Sequence, residues 1–90
     1  MKIITRTNQF KREFKLMLKR GKNQEKFTEI LESLVYKKEL PFKYRDHKLT
    51  GDYTGSRELH IEPDWLLIYK NSAAELILER TGSHSDLFKI

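Results

Sequence analysis

The hydrophobic and polar positions of the first forty residues follow a helical period. The short stretch KIITR alternates as a strand does, and the helical spacing then begins behind Asn8, the expected N-cap, and ends before Gly21. The spacing recurs behind Asn23, a second expected cap, and ends at Pro41, which cannot continue a helix. The apolar positions of the two predicted helices are Phe10, Phe14, Met17 and Leu18, followed by Phe27, Ile30, Leu31, Leu34 and Val35. The pattern predicts a strand and then a helical hairpin.

Beyond Pro41 the helical period is lost. The segment PFKYRDHKLTGDYTG, residues 41–55, has no sustained period and predicts a long loop of the kind that is often functional in a small domain. The stretches RELHI, WLLIYK and ELILER alternate or are continuously apolar, which predicts three strands. Their short connections, EPD and NS, favour an antiparallel meander. In the final stretch TGSHSDLF, Ser83 is the expected cap of a last helical turn.

These elements predict an α+β fold in one domain over residues 1–90. A short N-terminal strand and a two-helix hairpin pack on an antiparallel sheet of about four strands, with the other sheet face at least partly open. Strand alternation places His60 on the open face together with Glu58 and Glu62. The same alternation gives Arg80 the face of Leu78, at the rim of the sheet as the last strand residue.

Positive charge is concentrated in the first half of the chain. Residues 1–45 hold 13 Lys and Arg against 5 Asp and Glu, a net charge of +8, whereas residues 46–90 hold 5 against 8, a net charge of −3. Lys11, Lys15 and Lys19 form one solvent-facing row on the first helix. Such clustering predicts a polyanionic partner, either nucleic acid or an acidic protein, and the alternative is a solvated helix surface.

Membrane and secretory signals are missing from the sequence. No apolar run reaches the roughly 18 residues that a spanning helix needs, and MKIITRTNQF lacks the apolar core of a signal peptide. The cysteine count is zero, so there is no disulfide framework and no thiolate metal site. We therefore expect a cytoplasmic protein that does not associate with a membrane.

The candidate chemistry rests on three histidines. His47, His60 and His84 are separated by 13 and 24 residues, which fits no common short zinc-ligand spacing. Histidines, an arginine and aromatic rings are the groups that metal-free RNA cleavage uses, for proton transfer, for the phosphate charge and for base stacking. On the residues alone, a non-catalytic basic module that binds RNA or an acidic partner stays open.

Three segments carry a family resemblance. DHKLTG at 46–51, GSRELHIEPDWLLIYK at 55–70 and LERTGSHSDLF at 78–88 resemble the YafQ branch of the RelE superfamily of bacterial type II toxins. The order of the predicted elements is similar to the RelE-like microbial RNase fold, so the resemblance covers essentially the whole chain. It implies a ribosome-dependent endoribonuclease that cuts mRNA by attack of a 2′-hydroxyl, uses no metal or other cofactor, and is held inactive by a cognate antitoxin.

The resemblance assigns a proton-transfer role to each histidine. It implies His84 as the general acid and Arg80 as the group that stabilises the transition state. His47, His60 and Asp64 form the set from which the general base is drawn, and which of them takes the proton stays open. Without the resemblance, Asp64 would only hold a turn and His47 would be a structural loop contact.

Two aromatic residues and the lysine row are the expected substrate-binding groups. Phe88 is the ring expected to stack on a base, and Trp65 matches the family position beside the turn aspartate. On the residues alone, Trp65 would be core and Phe88 would anchor the C-terminal end. The remaining substrate-binding candidates are Lys11, Lys15 and Lys19, which would contact ribosomal or messenger RNA.

Overall fold

Two long helices, a short third helix and five strands make up the fold within the described residues. The computed structural model describes residues 2–36 and 39–88, with Asp52 described by its backbone alone. The elements are β1 (Ile3–Arg6), α1 (Asn8–Lys19), α2 (Gln24–Val35), β2 (His47–Lys48), β3 (Arg57–Glu62), β4 (Trp65–Asn71), β5 (Glu75–Gly82) and α3 (His84–Phe88). Short 3₁₀ turns at Phe42–Tyr44 and Gly51–Tyr53 interrupt the predicted loop. Of the helices in these described ranges, none has the length and apolar character that crossing a bilayer requires.

One of the two predicted N-caps of the long helices is confirmed, and the other is wrong. Asn23 caps α2, and its side chain accepts a hydrogen bond from the backbone N–H of Glu25 at 2.8 Å. The predicted cap Asn8 is wrong, because Asn8 is already helical and Thr7 is the cap. The hydroxyl of Thr7 accepts from the N–H of Phe10 at 2.9 Å and donates to the carbonyl of Glu79 at 2.8 Å. The true cap therefore also ties the start of α1 to β5.

In the part of the chain that the structure describes, the sheet has five strands in the order β1-β5-β4-β3-β2. The predicted meander of β3, β4 and β5 is confirmed, and all its pairings are antiparallel. The prediction of about four antiparallel strands is wrong in two details. β1 pairs with β5 in parallel, and the additional strand β2 lies inside the predicted loop, where His47 is opposite Glu58. This pairing brings His47 to the sheet.

The two sheet faces carry apolar clusters of unequal size. The main core lies between the sheet and the two long helices; its largest buried side chains are Phe10, Met17, Ile30, Leu59, Trp65, Leu67, Tyr69, Leu76 and Leu78. On the other face, Leu66 and Ile68 pack against Leu87, and Tyr53 and Phe88 pack onto this smaller cluster. His60 is opposite Leu66 and so lies on the second face, as the alternation predicts. We call this second face the open face.

Bulges change the face of two charged residues. In β5, Ile68 is opposite Arg80 while Tyr69 is opposite Leu78, so Glu79 is the extra residue of a bulge. The expectation that Arg80 shares the face of Leu78 is therefore wrong, since Arg80 lies on the open face with Ile68. It is also not the last strand residue, because β5 continues to Gly82.

A second bulge, at the end of β3, moves Glu62 to the other face of the sheet. The register shifts between His60 and Glu62, so that Glu62 is opposite Trp65. Its carboxylate pairs with Lys22 at 3.1 Å and Lys26 at 3.0 Å, on the helix side of the sheet. The expectation that Glu62 shares the open face with His60 is wrong for this reason.

Trp65 belongs to the main core. Its relative exposure is 0%, and its indole N–H donates to the hydroxyl of Thr81 at 2.8 Å. That hydroxyl donates in turn to the carbonyl of Leu66 at 2.7 Å. Trp65 as a substrate contact is therefore wrong, because a fully buried ring cannot reach RNA. Its role is to join β4 to β5 inside the core.

Replacement of Trp65 by alanine should lower the free energy of unfolding by about 3–5 kcal/mol, because it removes a large buried ring. Phe42→Ala is the matched control, since Phe42 is 95% exposed and its loss should change stability by no more than about 0.5 kcal/mol. Urea unfolding followed by circular dichroism measures both values. Equal stabilities of the two variants would contradict the burial of Trp65.

Candidate active site

Three imidazole rings form a row on the open face. β2 contributes His47, β3 contributes His60 and α3 contributes His84. The ring centroids of His47 and His60 are 6.4 Å apart, and those of His60 and His84 are 5.5 Å apart. The structure therefore brings together all three histidines that the sequence singles out, with His60 in the middle.

A buried carboxylate lies between two of these rings. Oε1 of Glu58 is 3.5 Å from Nε2 of His47 and 3.4 Å from Nε2 of His60, and the Glu58 side chain is 7% exposed. Strand alternation in the sequence places Glu58 on this face but indicates no role for it. The sequence indicates that Glu58 lies near His60, because it stands two residues earlier on the same strand. Its position opposite His47 depends on β2, which the sequence does not predict.

Asp64 holds the imidazole of His84. Its Oδ1 accepts from the backbone N–H of His84 at 2.9 Å and from Nδ1 at 2.7 Å. These two hydrogen bonds lower the pKa of Asp64 below its usual range, the backbone one most strongly. Because a carboxylate accepts this bond, Nδ1 of His84 carries the hydrogen, which leaves Nε2 available for other proton transfers.

α3, which carries His84, is held by a reciprocal cap. The N–H of Asp86 donates to the hydroxyl of Ser83 at 3.1 Å, and the N–H of Ser83 donates to Asp86 at 2.9 Å, which confirms the predicted cap. Arg20 donates to Asp86 at 2.6 Å and lowers the pKa of that carboxyl to about 2. A Cβ at Gly82 would lie 2.9 Å from the Cβ of Asp86, so only glycine permits this close turn.

Arg80 is fixed on both sides of its guanidinium. Nε donates to Glu13 of α1 at 3.2 Å, and Nη1 donates to the hydroxyl of Tyr53 at 3.1 Å. The hydrogen bond with Glu13 raises the pKa of Arg80 above its usual value. Tyr53 also meets Phe88 edge to face, with ring centroids 6.3 Å apart. Arg80, Tyr53 and Phe88 thus form one end of the site, and sequence reasoning missed both Glu13 and Tyr53.

His60 is the least exposed of the histidines, with 12% of its side chain accessible. Burial lowers its pKa below the ordinary value, and the charges of Arg45 and His84 lower it further, while Glu58 opposes the change. His60 is therefore neutral at pH 7 and available to accept a proton.

His47 is positioned by the backbone of its own loop. Its Nδ1 lies 2.7 Å from the carbonyl of Arg45, so this nitrogen carries the hydrogen and donates it. Arg57 holds the loop to the sheet by donating to Asp46 at 3.0 Å. These contacts explain how a residue in a segment without a sequence period reaches the site.

The structure does not bring the lysine row to the histidines. Lys11, Lys15 and Lys19 are exposed, as predicted, on α1, which packs on the helix side of the sheet. Within residues 2–36 and 39–88, no group of three or more His, Cys, Asp or Glu side chains is arranged to hold a metal ion. The absence of a metal from the reaction stays an expectation.

Comparison with known proteins identifies the family. The model of the YafQ family, described as a bacterial toxin of type II toxin-antitoxin systems, matches residues 2–89. The chain belongs to the YafQ toxin family. The mRNA interferase toxin YafQ of Escherichia coli (strain K12) is 41% identical to it over 86 residues, which are 94% of each chain.

Solved structures of YafQ toxins have the same fold. YafQ from Escherichia coli strain BL21(DE3) gives a TM-score of 0.91 at 38% identity, covering 98% of this chain and 99% of that one. The Escherichia coli DinJ-YafQ complex gives 0.90 at 39% identity with the same coverage. A metal-bound toxin from Helicobacter pylori gives 0.90 at 34% identity, covering 98% of this chain and all of that one. The predicted YafQ family and α+β fold class are confirmed.

In this YafQ-family toxin, Glu58→Gln should lower the pKa of His60 further, because the one nearby negative charge that opposes the effect of burial is removed. A pH titration of the His60 imidazole by NMR measures the shift. Glu62→Gln is the matched control, since that carboxylate faces the helices. An unchanged pKa of His60 in Glu58→Gln would show that Glu58 has no electrostatic effect on this ring.

Proposed function

We propose that this YafQ-family toxin is a ribosome-dependent endoribonuclease, acting in the cytoplasm as one domain, that cleaves mRNA by metal-free attack of a ribose 2′-hydroxyl on the adjacent phosphate. The mRNA interferase name of the Escherichia coli relative supports this reaction. The observation that carries it is the pair His60 and His84, 5.5 Å apart on the open face, one neutral and one oriented by a carboxylate. Such a pair can take one proton and deliver another.

His84 is the proposed general acid. Its side chain is 40% exposed, and Asp64 holds Nδ1–H so that Nε2 faces away from the carboxylate. A proton on Nε2 can therefore pass to the oxygen that leaves when the phosphodiester breaks. Asp64 acts through His84, by fixing its tautomer and stabilising its charged form.

The geometry favours His60 as the general base among the three candidates. Asp64 is engaged by His84, and its lowered pKa makes it a weak proton acceptor. His47 has Nδ1 committed to a carbonyl and Nε2 directed at Glu58. His60 directs Nε2 at Glu58, which leaves Nδ1 for the 2′-hydroxyl, and the carboxylate stabilises the imidazolium that forms.

Arg80 and Phe88 are the proposed phosphate and base contacts. Glu13 and Tyr53 hold the guanidinium before substrate arrives, so little reorganisation is needed when charge develops on the phosphate. Phe88 is half-buried and braced by Tyr53, which suits a ring that stacks on a base. These contacts are few, so we expect the ribosome to position the message, with Lys11, Lys15 and Lys19 binding ribosomal RNA.

His84→Ala should slow the cleavage step by about a hundredfold to ten-thousandfold, because it removes the general acid. The measurement is single-turnover cleavage of mRNA on programmed ribosomes, with circular dichroism to confirm folding. Gln9→Ala, a truncation at an exposed position of α1, is the control and should cleave like the wild type.

Other outcomes of that assay separate the alternatives. Full cleavage by folded His84→Ala would remove His84 from catalysis. Ribosome binding without any cleavage by the wild-type protein would instead support a non-catalytic basic module, for which the exposed lysine row is the supporting observation.

We also propose that an acidic segment of a cognate antitoxin docks on the basic half of the chain, as the DinJ-YafQ toxin-antitoxin complex of the relative suggests. The lysine row is favoured over Arg80 as the docking site for this segment. Glu13 already supplies a carboxylate to Arg80, whereas no ion pair of the described residues engages Lys11, Lys15 or Lys19.

The rate of association with the antitoxin should therefore fall as salt rises, because screening weakens long-range attraction between the charged surfaces. Stopped-flow fluorescence at several salt concentrations measures this rate. A variant with Lys11, Lys15 and Lys19 changed to Gln should associate more slowly and with a weaker salt dependence. If the association rate of the wild-type protein does not change with salt, the lysine row does not bind the antitoxin, and ribosomal RNA is its remaining proposed partner.

A further inference from the structure

A cleft of about 460 Å³ opens beside His60. Its walls come from α2, from the segment that follows Pro41 and from the end of β3. The described residues around it include Lys43, Tyr44, Arg45, His60, Ile61 and Pro63. None of the lining residues belongs to β4, β5 or α3, the elements that carry Arg80 and His84. The cleft therefore extends the site from His60 in a direction that Arg80 and Phe88 do not cover.

The cleft is lined by three cations, Lys26, Lys43 and Arg45, and by two carboxylates, Glu29 and Glu62, so its lining has a net positive charge. At the rim of the cleft, Lys43 and Arg45 form no ion pair with any acidic side chain in the described part of the chain, and Nζ of Lys43 lies 5.2 Å from the centroid of the Tyr44 ring. Lys26, also in the wall, shares Glu62 with a second lysine. An anionic group is the ligand that such a rim attracts.

The floor of the cleft is apolar. The ring of Tyr44 packs on the main core, Ile61 is buried, and Pro63 closes the end beyond β3. The volume falls within the range of about 300–1,000 Å³ that is typical of sites for small ligands. A flat apolar group joined to an anion fits this floor and rim, and a nucleotide has both parts.

The backbone conformation of Arg45 also points to a functional role for this segment. It has a φ of 51° and is the only residue other than glycine with a positive φ in the described chain. Arginine adopts this left-handed conformation at an energetic cost, and such strain concentrates at functional sites. The conformation presents the Arg45 carbonyl to His47 while its side chain lines the cleft, and its charge lowers the pKa of His60. One strained residue thus serves both the histidine row and the cleft.

We propose that this cleft binds the RNA nucleotide on the far side of the scissile phosphate from Phe88, with its base against the partly buried ring of Tyr44 and its phosphate at Arg45 and Lys43. The inference rests on the proposed nuclease function and deepens it. His60 lines the cleft and also belongs to the histidine row. A nucleotide bound in the cleft would therefore place its neighbouring phosphate beside His60, the proposed general base. Because the nucleobase lies against the cleft floor, the cleft also helps to determine which codons are cut.

Removal of the rim charges should weaken substrate binding more than it slows cleavage. In single-turnover cleavage on programmed ribosomes, Arg45→Gly and Lys43→Gln should each raise the half-saturating toxin concentration by up to about tenfold, as expected for loss of a charge-assisted phosphate contact. Glycine accepts a positive φ without strain, so Arg45→Gly removes the side chain and leaves the backbone path available. Arg6→Gln, an exposed cation on β1 at the other edge of the sheet, is the matched control.

The occupant can be tested directly by NMR. A trinucleotide with 2′-O-methyl riboses, which lack the attacking hydroxyl, should shift the backbone amide signals of Tyr44, Arg45 and Ile61 in the wild-type protein. Tyr44→Leu keeps apolar bulk without the aromatic ring, and should reduce these shifts and change the preferred codons. Inorganic phosphate should shift Arg45 without Ile61, and equal shifts at both residues with phosphate alone would overturn the assignment of a base to the floor.

The outcomes distinguish this proposal from the nuclease proposal. If the wild-type protein cleaves and both rim variants match Arg6→Gln, the nucleotide site is overturned while the nuclease function stands. If the wild-type protein does not cleave RNA, the nuclease function is overturned, and with it this use of the cleft. If the rim variants cleave normally but bind the antitoxin more weakly, the cleft belongs to a protein partner and the proposal is wrong.

Discussion

Two bulges decide which side chains meet on the open face of the sheet. The bulge at Glu79 turns Arg80 to the side where the histidines lie, within reach of Glu13 at the margin of α1. The bulge at the end of β3 leaves His60 on that side and turns Glu62 back toward the helices. Without these two interruptions, strict alternation would turn Arg80 away from the histidine row and would add the carboxylate of Glu62 to it.

The two long helices and the meander were predictable because each depends on a repeated pattern of many residues. β2 was not predictable, since two residues carry no period and are held by pairing with β3. The face of Arg80 was missed because a bulge shifts the phase of alternation without leaving a signal in composition. Trp65 was misassigned because a family motif contains structural residues beside functional ones, and burial alone separates the two kinds.

All three histidines follow one physical rule, in which an oxygen acceptor faces at least one ring nitrogen. The acceptor is a backbone carbonyl for His47, the carboxylate of Glu58 for His60, and the carboxylate of Asp64 for His84. Such partners select a tautomer and prevent ring rotation. The histidines were visible in the sequence, but their acceptors come from other strands and loops. That is why the candidate residues could be named from the sequence and their roles could not be ranked.

The parallel pairing of β1 with β5 joins segments that are about seventy residues apart, with Ile3 opposite Glu75. During synthesis β1 therefore cannot pair until β5 has been made, and the sheet is completed late. His84 follows that last strand, and the cap that orients it includes Asp86. A nascent chain that stops short of this segment keeps the residues of both long helices but lacks the groups that complete the histidine row. Assembly of the site is thus coupled to synthesis of β5 and α3, because the histidine row lacks His84 until that segment has been made.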